Sequence, residues 1–231
     1  MSAGIAVVPD LAPVECLVRK RRAAVSPRQA LLVGLSGVDG SGKGFVAAEL
    51  RRWLEADDFR VAVLHVDGWL NLPAVRFSRD WPAEHFYIHA LRLDEMFRDL
   101  VLPLRQSRTR RVVARHAEET ATAFRDELYD LHDVDVIVLE GIFIYKRQYR
   151  RYFDLALWLD CTFDTAMERA LRRGQEGLPR AETIAAYETI YFPAQRLHFR
   201  QDEPRARADV IMANDPRLDL VEPSRSVVAF H

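Results

Sequence analysis

The run LLVGLSGVDGSGKGF, residues 31–45, constrains the fold of this chain more than any other stretch. A short, continuously apolar run such as LLVGL reads as a buried strand, and it feeds directly into glycines. Those glycines let backbone N–H groups turn toward an anion with no Cβ in the way. The following segment, FVAAELRRWLEADD, sets Phe45, Ala48, Leu50, Trp53 and Leu54 roughly on one face of a helix. A helix starting there offers its positive N-terminal end to the same anion. Strand, loop, lysine and helix in this order predict a nucleotide-phosphate loop made of Gly37, Val38, Asp39, Gly40, Ser41, Gly42, Lys43, Gly44 and Phe45. Lys43 is placed to reach the terminal phosphates. The pattern asks for Ser or Thr next, because that hydroxyl holds a Mg²⁺, and the residue here is Gly44.

Further strands are expected over 60–69, 134–141, 154–161 and 208–215, with 108–116 as a strand or hairpin arm. Helices are expected over 11–25, after Asp160, from His85 to a stop at Pro103, and over 180–200 with a break near Pro193. Residues 71–85 read as loop. Continuously apolar strands alternating with helices indicate a parallel sheet covered on both faces. Such sheets bind ligands beyond the carboxyl ends of their strands. The phosphate loop, Asp67, Glu140 and Asp160 all fall there. The 231 residues suit one α/β domain over 30–215, with an N-terminal arm and short helix over 1–29 and a C-terminal tail over 216–231.

Each candidate residue has a chemical and a plain reading. Glu140 ends VIVLE and is placed to hold Mg²⁺, directly or through water, or else to face solvent. Asp67 ends RVAVLHVD and is placed to take a proton from a hydroxyl or to order the metal; as a plain residue it forms a turn with Gly68. Arg169, Arg172 and Arg173 share a helix face ahead of the flexible stretch GQEGLPR, where they either close over phosphates or form a solvated basic surface. Trp69, Trp81, Phe86 and Tyr87 either stack on a ring of a ligand or belong to the core. Five arginines between 105 and 115 suit a solvated hairpin or a phosphorylated substrate, and His85 with His89 lacks an evident third metal ligand.

The net charge of −1 argues against a generally basic nucleic-acid binder. No stretch approaches the ~20 apolar residues of a membrane span. Cys16 and Cys161 fit no metal or redox spacing, so a reduced, cytoplasmic setting is expected. The expected partner is a small-molecule acceptor rather than nucleic acid or membrane, with a homo-oligomer left open.

Over residues 30–215 the chain resembles the uridine kinase and phosphoribulokinase group of P-loop kinases. The matching pieces are GLSGVDGSGKG, LHVDGW, the long helix into LVLPL, VIVLEGIFI, FDLALWLDCTFDTAMERALRR and PRARADVIMAND. The resemblance implies a P-loop NTPase three-layer fold, with a mostly parallel five-stranded sheet and an arginine-bearing helical lid. It implies transfer of the γ-phosphoryl of ATP, with Mg²⁺, to a hydroxyl of a nucleoside, sugar phosphate or related acceptor. By the same resemblance Asp67 falls where the family keeps its base, and Arg169 and Arg173 fall in its lid. Trp69, Tyr87, Arg115 and His116 are the candidate acceptor contacts. Arg115-His116-Ala117 stands where the uridine kinases carry Tyr-Asp-Phe, so the scaffold carries over further than the acceptor does. The type 2 polyphosphate kinases also have Gly after the loop lysine, which leaves a polyphosphate- or nucleotide-using kinase open. A non-catalytic nucleotide-binding regulator is the reading from another class.

Overall fold

The apolar runs become the inner strands of one sheet. In the computed structural model, which describes residues 11–218, every residue of β1 (Leu31–Gly37) and β5 (Val136–Glu140) is buried. In β6 (Leu155–Asp160) only Asp160 is less than fully buried. The shorter β2 (Val61–His65) and β7 (Val210–Ala213) close the edges. The order is β2-β5-β1-β6-β7, and every neighbouring pair is parallel. Of the arm and short helix expected over residues 1–29, residues 1–10 lie outside the described residues, as does most of the tail expected over 216–231.

Side chains alternate between two cores, as strand geometry requires. Leu31, Val33, Leu35, Val136 and Val138 meet α1 (Ala12–Ala24) and α2 (Lys43–Ala56), which contribute Val14, Val18, Val46, Leu50 and Leu54. Leu32, Ile137, Leu139, Ala156 and Trp158 face the other helical layer. That layer holds α4 (Pro82–His89) and, after a short helix α5 (Leu93–Met96), α6 (Leu102–Ser107). It also holds α8 (Phe163–Arg173), α9 (Arg180–Ala186) and α10 (Phe192–Asp202). Two short helices, α3 (Pro73–Arg76) and α7 (Arg147–Arg150), lie in the connections. This is the three-layer α/β fold expected from the sequence.

Several local expectations are corrected. The segment 71–85 is not all loop, since α3 and the start of α4 lie in it. The helix expected from His85 to Pro103 breaks after His89, resumes at Leu93 and runs past Pro103 to Ser107. It survives the proline because Phe97–Val101 is wound as a π turn, with the Leu102 N–H bonded to the Phe97 carbonyl. Pro103 then has no N–H to place, and the Asp99 carbonyl accepts from Arg110 Nε at 2.8 Å. The same device sits before Pro193, where Tyr187–Tyr191 is a π turn and the Phe192 N–H bonds Tyr187. The arm at 108–116 is β3 (Arg110–His116), paired with β4 (Arg125–Leu131), a strand whose polar sequence gave no signal. Asp67 lies two residues past β2, in a single 3₁₀ turn at Val66–Gly68.

At the amino edge of the sheet one arrangement repeats. Asp135, Asp154 and Asp209 each precede a strand and accept a backbone N–H from the strand beside it or from the residue leading into that strand. Asp135 takes the Arg60 N–H at 3.1 Å, Asp154 the Leu32 N–H at 2.8 Å and Asp209 the Ala156 N–H at 2.7 Å. Arg108 pairs with Asp135 and Arg105 with Asp154, both at 2.6 Å, so two of the five clustered arginines serve the edge opposite the phosphate loop. Replacing Asp154 by Ala leaves the Leu32 N–H and a guanidinium without their acceptor. We expect a loss of about 2 kcal/mol or more in urea unfolding, with nucleotide affinity of the folded fraction unchanged. A loss under about 0.5 kcal/mol would show that this edge does not hold the sheet together.

Candidate active site

The carboxyl edge is where the strands stop and the chain turns. Register places His65 and Leu35 on either side of Glu140, and β1 continues into the glycine loop. Gly42 begins α2 with φ +94°, a conformation open to glycine at little cost, and a Cβ there would lie 2.7 Å from Asn214 Nδ2. The loop is braced from outside. Asn214 Nδ2 and Arg169 Nη1 donate to the Ser41 carbonyl at 2.6 and 3.0 Å, and Gln195 Oε1 accepts the Asp39 N–H at 2.8 Å. Lys43 is buried and donates to the Val38 carbonyl at 2.9 Å.

A cleft of about 520 Å³ opens over the loop. Gly40, Gly42, Lys43, Gly44 and Phe45 form one side, and Asp67, Glu140 and His65 stand across from them. Glu140 is buried, its Oε1 is 2.7 Å from His65 Nδ1, and among the described residues its Oε2 makes no hydrogen bond. The bond to Glu140 raises the His65 pKa; partial burial opposes this, and the Glu140 and Asp67 charges add to it. Asp67 is open to solvent in the cleft, and among the described residues its carboxylate accepts no hydrogen bond. The walls around it reduce its hydration and, with the Glu140 and Asp39 charges, push its carboxyl up to about 6 against the pull of Lys43 and Arg173.

Arg173 reaches the loop from α8. It lies 3.5 Å from Asp39 and 3.2 Å from Glu176, and the Tyr187 hydroxyl donates to Asp39 at 2.6 Å. Burial works against the Asp39 charge, but Arg173, Lys43 and the Tyr187 hydroxyl together hold its carboxyl below the usual range. Burial also works against the Arg173 charge, which Asp39 and Glu176 more than restore.

Other expected site residues lie elsewhere. Arg169 does not line the cleft; it holds the outer side of the loop at Ser41. Trp69 is buried, stacked on Tyr129 with centroids 6.0 Å apart, and anchors the hairpin rather than offering a face to a ligand. Tyr87 donates to Asp202 and lines a second cavity with Lys146. Arg115 pairs with Glu95 at 3.0 Å on the outside. His116 packs against Gly68, 3.4 Å from Glu118, behind the cleft wall. Among the described residues no third ligand joins His85 and His89. The sequence reading missed His65, Glu119, Glu176, Tyr187 and Gln195, all of which touch the cleft or its loop. His65 was within reach of pattern, two residues before Asp67 at the same strand end; Gln195 and Tyr187 come from helices with no local marker.

No protein-family model matches the chain. Solved structures do resemble it. A possible uridine kinase from Bacillus stearothermophilus superimposes with a TM-score of 0.67 at 22% identity, covering 87% of this chain and 98% of that one. A candidate fructose transport system kinase from Silicibacter sp. TM1040 gives 0.68 at 18% identity, with 86% and 98% covered. A D-glycerate 3-kinase from Cryptococcus neoformans gives 0.57 at 12% identity, with 80% and 87% covered. At these identities the likeness is one of fold: the chain has the three-layer fold of the uridine kinase-like P-loop kinases.

Proposed function

We propose that the chain is a phosphotransferase that moves the γ-phosphoryl of ATP, with Mg²⁺, to a hydroxyl of a small nucleoside-like or other sugar-containing acceptor. The observation that carries this reading is Asp67, a carboxylate that lines the same cleft as the glycine loop and, among the described residues, accepts no hydrogen bond. In the reaction the acceptor oxygen bonds to the γ-phosphorus as the bond to the bridging oxygen breaks. The acceptor's proton goes to Asp67, and ADP leaves. Loop amides, Lys43 and the start of α2 hold the phosphates, and Arg173 is near enough to offset charge on the transferred group. Glu140, oriented by His65, fits the metal, with Asp67 beside it. Mg²⁺ supplies neutralisation of the phosphate oxygens. A screen of ADP release over nucleosides, amino alcohols and sugars tests the reading; tight ATP binding with no transfer to any acceptor would instead support a nucleotide-binding regulator.

Lys43→Ala should weaken ATP binding by about 1.5–3 kcal/mol, the worth of a charge-assisted phosphate contact, in calorimetry. Unchanged affinity would remove the lysine from the phosphate site.

Gly44 bears on the metal. A Cβ built there meets nothing within 4 Å among the described residues, so a water has room where the hydroxyl would stand. Gly44→Ser should fold normally and lower the Mg²⁺ concentration for half-maximal rate. Full wild-type activity in excess chelator would sink the metal assignment.

Asp67→Asn keeps shape and removes the base, so turnover should fall at least about a hundredfold with ATP affinity retained. Glu140→Gln should instead be partly rescued by added Mg²⁺. The wild-type rate should rise with pH through about 6 as Asp67 ionises and then level off. Stability should run the other way. A carboxyl whose folded pKa lies above its unfolded value stabilises the fold at low pH, and that contribution is lost as pH rises from ~4 through about 6. At neutral pH the Asn variant should therefore unfold at higher denaturant than wild type while turning over more slowly. A variant that is both less stable and nearly as fast, within about threefold, would return Asp67 to a turn-forming role.

A further inference from the structure

We propose that the acceptor carries a positively charged nitrogen, an amine or a quaternary centre, along with its hydroxyl, and bears no phosphate or carboxylate. This rests on the phosphotransfer reading above and names the chemical class of its acceptor. Beyond Asp67 the cleft has an apolar wall of Leu70, Phe86, Leu91 and Tyr191, edged by Glu118, Glu119 and Glu176. Lys43 and Arg173 are the only lysine or arginine lining the cleft among the described residues, and both belong to the phosphate end. Lys43 is bonded to the loop carbonyls and Arg173 is paired with Asp39 and Glu176. Arginines behind the acceptor wall are already engaged. Arg76 donates to the Glu119 carbonyl at 2.7 Å and lies 3.4 Å from its carboxylate, while Arg92 and Arg115 both pair with Glu95. Glu118 in turn pairs with Arg125 at 3.0 Å, yet among the described residues no unengaged lysine or arginine lines the cleft for an acceptor phosphate, which disfavours it.

Glu176 supplies the independent sign of a missing partner. It is only 9% exposed, and its Oε1 accepts from Arg173 at 3.2 Å and lies 2.8 Å from the Tyr187 hydroxyl, whose single proton goes to Asp39. Its Oε2 is buried with no hydrogen-bond partner among the described residues. An anionic oxygen left unpaired in the protein is costly, and an ammonium donor would satisfy it. Glu119 reports the same surplus of negative charge. Burial raises its carboxyl pKa, Arg76 opposes the rise, and the charges of Asp39, Asp67 and Glu176 add to it. The Phe86 and Tyr191 rings lie on the same wall, centroids 5.0 Å apart, both largely buried and packed against Phe77.

Two matched triads test this: para-aminomethyl benzyl alcohol, benzyl alcohol and para-carboxybenzyl alcohol; and glucosamine, glucose and glucose phosphate. Binding is measured by calorimetry and ligand-observed NMR on the full chain with Mg²⁺ and a non-hydrolysable ATP analogue. In each triad the amine should bind at least about tenfold more tightly than the neutral member, and the anion weakest of all. Glu176→Gln should cut the amine-to-neutral ratio by about threefold or more, and Glu118→Gln, at an exposed position, should lower it if the first variant does not fold. Turnover is measured separately. Amines that bind but are never phosphorylated would overturn the phosphotransfer reading and leave this one standing, whereas phosphorylation of glucose phosphate would do the reverse. Equal binding across each triad, no binding of any member, or preference for the anion overturns the proposal.

Discussion

Parallel pairing of β1 between β5 and β6 decides where everything else can go. It puts every strand end with the same polarity on one edge, so the loop after β1, Glu140 at the end of β5 and Asp67 just past β2 arrive together without any contact specifying it. It also leaves the opposite edge with N–H groups that need acceptors. Asp135, Asp154 and Asp209 supply them, and Arg105 and Arg108 hold two of these acids in turn. One edge is therefore saturated with partners, and the other keeps carboxylates waiting for them.

That asymmetry explains how a chain of almost zero net charge can hold such uneven local fields. The loop proposed to hold a polyanion shares its cleft with Asp67 and Glu140, and its own Asp39 also lines it. The arrangement is tolerable because each of the buried acids is held by a specific group. Asp39 has Arg173 and the Tyr187 hydroxyl, and Glu140 has His65. Asp67 has none of these and is the carboxylate whose proton affinity rises most clearly in consequence. A site that is to accept a proton needs such a group, and local instability is the expected cost of keeping it.

Much of this was legible in the sequence, and the boundary is physical. The glycine loop and the apolar strands declare themselves locally, because their chemistry depends on near neighbours along the chain. Asp67 and Glu140 were placed by one further rule, the position of ligands at strand ends. Asp67 turned out to sit in a 3₁₀ turn rather than on the strand, which leaves it at the same edge. Tyr87, Trp69 and Arg115 were grouped with the site because they lie near Asp67 or in the hairpin that follows, yet their side chains point to other partners. Sequence proximity is a poor guide once a 3₁₀ turn and a hairpin have redirected the chain. The converse failure is Gln195 and Tyr187, which reach the loop from more than a hundred residues away. Pro103 and Pro193 misled for a different reason. A π turn ahead of each makes the residue before the proline bond five back, so the missing N–H falls where the helix can do without it.

Gly44 shows how far a motif can be altered while its setting stays the same. The hydroxyl absent there would be one ligand among several around a hexacoordinate ion, most of them phosphate oxygens and waters. Glu140 owes nothing to the loop: its position follows from strand register with Leu35 and His65, and its orientation from the imidazole beside it. The metal site of the proposed reaction is thus a property of the sheet edge, and the loop side chain refines it. A chain that kept the loop and lost Glu140 would have lost the more deeply determined half. This one keeps the buried acid and leaves open space where the hydroxyl would be, an arrangement that, in the proposed reaction, would weaken metal binding without dismantling it.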